Sequence, residues 1–133
     1  MINTQRFNSC FGYAKNILKA SRGNILVICG KPNSGKSLLL QKLIDLYPKE
    51  KTFNLPTWFL SKECDTVDIN KTDLIDDRIL LTCEEFYEDW NTLDIQFISK
   101  LTMCNLIITT LKSKIEVTEI FKTLETKLTI LEL

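Results

Sequence analysis

The feature that most constrains this chain is an apolar run of strand length tied to an apolar run of helix length by one small polar loop. Ile25–Cys29 holds no polar residue and is rich in β-branched side chains. That composition predicts a strand buried on both faces, as in a parallel sheet. Leu38, Leu39, Leu40, Leu43, Ile44, Leu46 and Tyr47 predict a helix, which Pro48 closes because proline cannot continue the hydrogen-bond ladder. Between them Gly30-Lys31-Pro32-Asn33-Ser34-Gly35-Lys36-Ser37 fits the pattern G-x-x-x-x-G-K-[ST]. Such a loop aims backbone N–H groups at a phosphate chain, and the helix N-terminus adds partial positive charge. Gly30 and Gly35 allow a close approach that a Cβ would obstruct. The pattern assigns Gly30 through Ser37, with Leu38, to a bound nucleotide. Lys36 goes to the β- and γ-phosphates and the Ser37 hydroxyl to magnesium. ATP with Mg²⁺ is the expected ligand.

Length and composition narrow the class. A chain of 133 residues predicts one domain, residues 1–133, and a 44% hydrophobic content is enough for a packed core. Lysine and arginine number 17 against 17 acidic residues, so the net basic field of a free-standing nucleic-acid binder is absent. No apolar run approaches about 18 residues, and no signal-peptide pattern follows Met1, which predicts a soluble, intracellular protein with no membrane partner. The five cysteines, Cys10, Cys29, Cys64, Cys83 and Cys104, form no C-x-x-C, and there is no histidine. Zinc binding and imidazole catalysis are therefore not expected. Cys29, Cys83 and Cys104 sit in or beside apolar runs and read as small buried hydrophobes.

The rest of the chain alternates between strand and helix patterns. Phe7, Phe11, Ala14 and Leu18 mark one face of a first helix, which Gly23 is placed to end. "KTFNL" reads as a short strand, residues 56–77 as irregular, and "RILLTCEE" as a strand ending in acids. Phe86, Trp90, Leu93, Phe97 and Leu101 predict a helix, "NLIITTL" a strand, Val117, Ile120, Phe121 and Leu124 a last helix, and "LTILEL" a last strand. The expected fold is α/β: a mainly parallel five-stranded sheet flanked by helices.

A phosphate loop needs an acid on a nearby strand, because magnesium prefers oxygen ligands and the attacking water must be oriented. "ILLTCEEF" supplies Glu84 and Glu85 at a strand's C-terminal end, where open α/β sheets place ligands. Glu84 is assigned to the magnesium shell and Glu85 to the water, or the two exchanged. Both also suit the first turn of a following helix, where acids are favoured by the dipole. In "LIITTLKSK", Thr109 and Thr110 could offer hydroxyls to the γ-phosphate or water, though threonine is an ordinary strand residue.

The order of these pieces resembles the superfamily 3 helicases of small DNA viruses, among them the circovirus and parvovirus replication proteins and the papillomavirus replicative helicase. "GKPNSGKS" is similar to their Walker A motif, "RILLTCEEFYEDW" to their Walker B strand, "LIITTL" to motif C, and "FKTLETKLTILEL" to the closing helix and strand. The resemblance implies an AAA+-like fold, ATP hydrolysis, and ring assembly on DNA in viral replication. It puts Lys36, Glu84, Glu85 and Thr110 in the catalytic set. It also exposes departures. Motif C in the family ends in asparagine, where this chain has Leu111, leaving Thr110 as the substitute. Lys127 stands nearest the place of the family's arginine finger, a contribution of roughly 10³ to 10⁵ in rate, and lysine lacks the planar fork. The basic DNA-gripping hairpin between motifs B and C is missing; Lys100 is the one basic residue between Phe86 and Asn105.

Three functions follow. The first is a helicase-type ATPase of DNA replication, with single-stranded DNA, copies of itself in a ring, or a full-length replication protein as partners. The second is a nucleotide-binding interaction or regulatory module without turnover. The third is a small P-loop kinase, which three unclustered arginines disfavour. The runs Lys49–Lys51 and Lys112–Lys114 are candidate phosphate-backbone contacts. Trp58 and Phe59 are candidate base-stacking residues, with core burial the competing role.

Overall fold

The computed structural model describes residues 2–61, 78–84 and 90–133. The chain runs α1 (Thr4–Ala20), β1 (Ile25–Cys29), α2 (Lys36–Ile44), β2 (Thr52–Asn54), β3 (Leu80–Cys83), α3 (Ile95–Ser99), β4 (Asn105–Thr110), α4 (Lys114–Ile120) and β5 (Leu128–Glu132), with short 3-10 turns between them. The five strands form one sheet in the order β2-β3-β4-β1-β5. Every neighbouring pair is parallel.

Side-chain alternation along the central strands splits the core into two layers. Leu26 and Ile28 of β1, Leu80 of β3 and Ile107 of β4 face α1 and α2, meeting Phe7, Ala14 and Leu18 from one helix and Leu39, Leu40 and Leu43 from the other. Ile25, Val27 and Cys29, with Leu81, Leu106 and Ile108, face Phe59, Phe97, Val117 and Phe121 on the opposite side. β1, β3 and β4 are buried along their whole length, which is why their sequences carry apolar runs rather than an alternating pattern. Lys42 on α2 sits 5.7 and 5.6 Å from the ring centres of Phe7 and Phe11, pinning α1 across α2.

α1 spans its whole pattern, whereas the later helices are shorter than theirs predict. α2 stops at Ile44, and Leu46 and Tyr47 continue as a turn, their N–H groups donating to the carbonyls of Leu43 and Ile44. The helix expected from Phe86 to Leu101 is broken in its described part. Trp90–Thr92 is a 3-10 turn, Leu93 bridges Ser61, and α3 starts afresh with the Asp94 carboxylate accepting from Phe97 N–H at 3.1 Å. Leu93, Phe97 and Leu101 are all buried, so the 3.6 spacing is real but shared between two turns that Asp94 separates. α4 gives way to a 3-10 turn at Lys122–Leu124. Its start carries a reciprocal cap that the sequence spells as Ser-x-x-Glu: Ser113 Oγ accepts from Glu116 N–H, and the Glu116 carboxylate accepts from Ser113 N–H.

At the amino ends of the strands, Asn105 Oδ1 accepts from the backbone and side-chain N–H groups of Asn24, both at 3.0 Å, while its Nδ2 donates to Tyr47 Oη at 3.1 Å. This network ties the far end of the α2 segment to β1 and β4. Tyr47→Phe leaves the Asn105 amide donor unmatched in a buried setting. It is expected to lower stability by about 1–2 kcal/mol, read as a lower urea midpoint at unchanged slope.

Candidate functional site

The loop between β1 and α2 lies at the carboxyl edge of the sheet. Because β4 pairs with β1, with Cys29 opposite Thr110, the end of "NLIITT" stands directly beside the loop. Gly30 N–H donates to the Thr110 carbonyl at 3.3 Å, and Ser34 N–H donates to the Lys31 carbonyl at 3.2 Å, folding the loop back on itself. A Cβ on Gly30 would collide with Ser34 Oγ, so any other residue there requires the Ser34 side chain to shift. Gly35 has φ 100° and Asn33 φ 66°, two left-handed turns that reverse the chain into the helix. Gly35 is also the N-cap of α2 and brings no side chain to cap it. The N-terminus of α2, with its partial positive charge, therefore faces the loop without a side-chain cap.

Lys36 is 4% exposed, and its ammonium donates to the Lys31 carbonyl at 2.9 Å across the base of the loop. Ser37 Oγ donates to the Glu84 carboxylate at the end of β3, 47 positions along the chain. The fold thus brings together residues from two separate sequence motifs, Lys36 and Ser37 of the loop and Glu84 of the third strand. Two hard oxygens in contact, beside a buried ammonium and a helix N-terminus, are the donor set a phosphate-bound divalent cation requires. Ser34 Oγ is buried with no hydrogen-bond partner among the described residues. An open cleft of about 610 Å³ runs beside the loop, lined by Ile2, Pro32, Asn33, Gly35, Lys36, Ser37, Leu38 and Leu111. Leu38 is not part of the apolar face of α2 but half-exposed on this cleft. The part played by Ile2 carries no sequence signal, because it depends on α1 running back along β1.

The other candidates fall in distinct places. Glu85 lies outside the described residues, as do residues 62–77 and the side chain of Trp58. Thr110 is buried beside the loop, and its hydroxyl accepts from Lys112 N–H at 3.1 Å, shaping the turn into α4. Leu111 projects 54% exposed onto the cleft. The Lys127 carbonyl accepts from Ile25 N–H and the residue precedes β5, so it sits at the amino edge of the sheet, about 16 Å of strand from this chain's own loop. Its ammonium donates to the carbonyls of Ser99 and Leu101, both at 3.2 Å, closing the end of α3, and burial pushes its pKa down. Lys127 is a structural cap in this chain.

Phe59 is fully buried and packs edge-on against Phe97, with ring centres 6.1 Å apart at 74°, so base stacking is excluded for it. Thr82, buried in β3, donates its hydroxyl to Asn54 Oδ1 on the neighbouring β2 at 3.2 Å. Lys112 pairs with Glu116 at 3.3 Å and Lys114 approaches Glu132 at 3.8 Å. Lys49–Lys51 leads into β2 at the amino edge, away from the cleft. Burial raises the thiols of Cys29 and Cys83 to about 11 and about 12, with the nearby Glu132 adding to the first. Both stay protonated and unreactive near neutral pH.

No known family profile matches this sequence, and no curated protein matches it. A chain of Drosophila ORC, solved bound to DNA, superposes with a TM-score of 0.57 over 97% of this chain and 91% of that one, at 12% identity. ORC is an AAA+ protein, and at this identity the likeness is one of fold. The parallel five-stranded sheet, its flanking helices and the loop after β1 therefore define an AAA+-like P-loop fold. Among the described residues, no helix is long and apolar enough to cross a membrane.

Proposed function

We propose that this chain is an intracellular, replication-type ATPase that binds ATP and Mg²⁺ at Gly30–Leu38, and that its relatives in mechanism are the superfamily 3 helicases. The observation that carries the reading is the meeting of Ser37 and Glu84 under the loop. Either residue alone has an ordinary explanation, as a helix start or a strand end. Their juxtaposition beside Lys36 is what phosphoryl chemistry uses. The fold likeness to ORC supports a role connected with DNA replication, with DNA and further protein copies or a full-length replication protein as partners.

In this reading the loop amides and Lys36 hold the phosphate chain, and charge growing on the γ-phosphate is met by groups already fixed in place. Ser37 and Glu84 would hold magnesium, which neutralises phosphate charge. Glu85 orients and deprotonates the attacking water, and Thr110 closes the site from β4. Leu111 offers no hydrogen bond to that water, and Lys127 is committed elsewhere. Those two facts favour a second reading, a nucleotide-dependent interaction module whose turnover is slow or completed by another chain. Two of the three arginines give a kinase no clamp. Arg22 and Arg78 precede β1 and β3 at the amino edge, opposite the cleft.

Glu84→Gln tests the site. ATP affinity in Mg²⁺ against EDTA should differ at least tenfold for the natural chain and by less than about threefold for the variant, because loss of an outer oxygen typically costs 10- to 100-fold in metal affinity. An unchanged magnesium effect would remove Glu84 from the site.

A further inference from the structure

The two outer edges of the sheet differ in kind. β2 is three residues long, is entered from Pro48 and the turn at Lys49–Lys51, and is left through Pro56. Thr52 N–H donates back to the Lys49 carbonyl. A short, lysine-flanked, partly closed strand is a usual way to keep an edge from pairing. β5 has none of these devices. Leu128–Glu132 holds no proline, no lysine and no charge before Glu132, whose carboxylate lies 3.8 Å from the Lys114 ammonium.

The backbone of β5 shows what the open edge offers. Successive residues of a strand send their N–H and C=O groups to opposite sides. Ile25 N–H donates to the Lys127 carbonyl and Leu133 N–H to the Cys29 carbonyl, so Lys127, Thr129, Leu131 and Leu133 turn toward β1, and Leu128, Ile130 and Glu132 turn outward. Two of the outward groups are engaged within the chain. Leu128 N–H donates to the Glu125 carbonyl at 3.3 Å, and the Glu132 carbonyl accepts from the Cys10 thiol at 3.6 Å. The Leu128 carbonyl, both groups of Ile130 and the Glu132 N–H have no partner among the described residues.

We propose that this edge pairs with β5 of a second copy, antiparallel, about a two-fold axis through Ile130. In that register the two Ile130 residues exchange both their bonds, and each Glu132 N–H donates to the Leu128 carbonyl of the other copy. Every open group is used once. The remaining positions of the ladder fall on Leu128 N–H and the Glu132 carbonyl, the groups that the chain already satisfies itself. The side chains agree. Ile120, Leu128 and Ile130 are half-buried on the α4 side of the sheet, and the axis sets one Ile130 against the other, a β-branched pair of the kind that stabilises neighbouring strands. The two Glu132 carboxylates stay about 14 Å apart along the strands. The phosphate loops point to opposite edges of one continuous sheet, so neither copy adds to the other's cleft, and the pairing is independent of the nucleotide reading.

The test is sedimentation equilibrium of the natural chain from about 1 to about 500 µM, the span in which small interfaces associate, with amide exchange read by NMR at both ends. The apparent mass should rise from one chain to two. Exchange at the Ile130 and Glu132 amides should slow by about fivefold or more with concentration, while the Thr129 and Leu131 amides, bonded to β1, stay equally protected. Ile130→Pro removes the outward N–H without touching the bonds to β1, a place where edge strands accept proline. It should weaken association at least about tenfold, because two of the ladder's bonds are lost, whereas Ile130→Val should keep it within about threefold. Ile130→Lys, the residue natural edges use, should show the same loss if the proline variant melts too early to measure. A single-chain mass throughout overturns the proposal, including the case in which the edge serves an extended segment of another protein. A dimer whose Ile130 and Glu132 amides exchange as fast as at low concentration also overturns it, since the contact then lies elsewhere. So does undiminished association of Ile130→Pro or Ile130→Lys.

Discussion

Lys36→Ala is expected to weaken ATP binding by about a hundredfold or more while leaving the fold intact. Each charge-assisted contact from the ammonium to phosphate contributes about 1.5–3 kcal/mol, and two such contacts together exceed a factor of one hundred. The native ammonium is buried and held by the Lys31 carbonyl. Its loss leaves an exposed loop carbonyl that water can reach, so the thermal midpoint should move little. Calorimetric titration with ATP in Mg²⁺, beside a melting curve, separates the two effects. Equal affinity in variant and natural chain would place the phosphates elsewhere.

The second large effect concerns the scaffold. Phe59→Ala should destabilise the protein by about 3–5 kcal/mol, the usual range for removing a fully buried ring. Phe59 has no exposed surface and meets Phe97 edge to face in the layer beneath β3 and β4. Domains of this size have only about 5–15 kcal/mol in hand, so the melting temperature should fall by roughly 10 °C or more. Phe59→Leu, which keeps most of the volume, should cost less than half as much. If Phe59→Ala melts within a few degrees of the natural chain, this layer is not the core it is described to be.

The ring's burial also shows what the sequence could and could not reveal. "TWF" offers two aromatics, and nothing local says that Phe59 faces inward. That depends on the 3-10 turn at Thr57–Leu60. The phosphate loop was legible because its chemistry demands fixed residue types at fixed spacing. β1, β3 and β4 were legible because strands buried on both faces carry apolar runs, here 25–29, 79–81 and 106–108. Strand order was not, since pairing β4 between β1 and β3 is a non-local event. The meeting of Ser37 with Glu84 follows from that order.

Misplacements arose where a pattern fixes periodicity but not position. Phe97 and Leu101 keep a helical spacing across the break that Asp94 imposes. β5 was recognised from its pattern, yet a strand in isolation does not say which of its ends faces the loop. Parallel pairing with β1 puts the start of β5 at the far edge. Leu38 looks like core by composition and is exposed because the first turn of α2 stands clear of the sheet. Ile2 had no signal, since its neighbours on the cleft come from α2 and the end of β4.

Turnover tests the central claim most directly: steady-state phosphate release from ATP in Mg²⁺, with and without single-stranded DNA, for the natural chain and for Glu85→Gln. The account predicts release that requires magnesium, rises with DNA and disappears in Glu85→Gln. Release that persists unchanged in Glu85→Gln, or no release from a protein saturated with ATP and DNA, would contradict it.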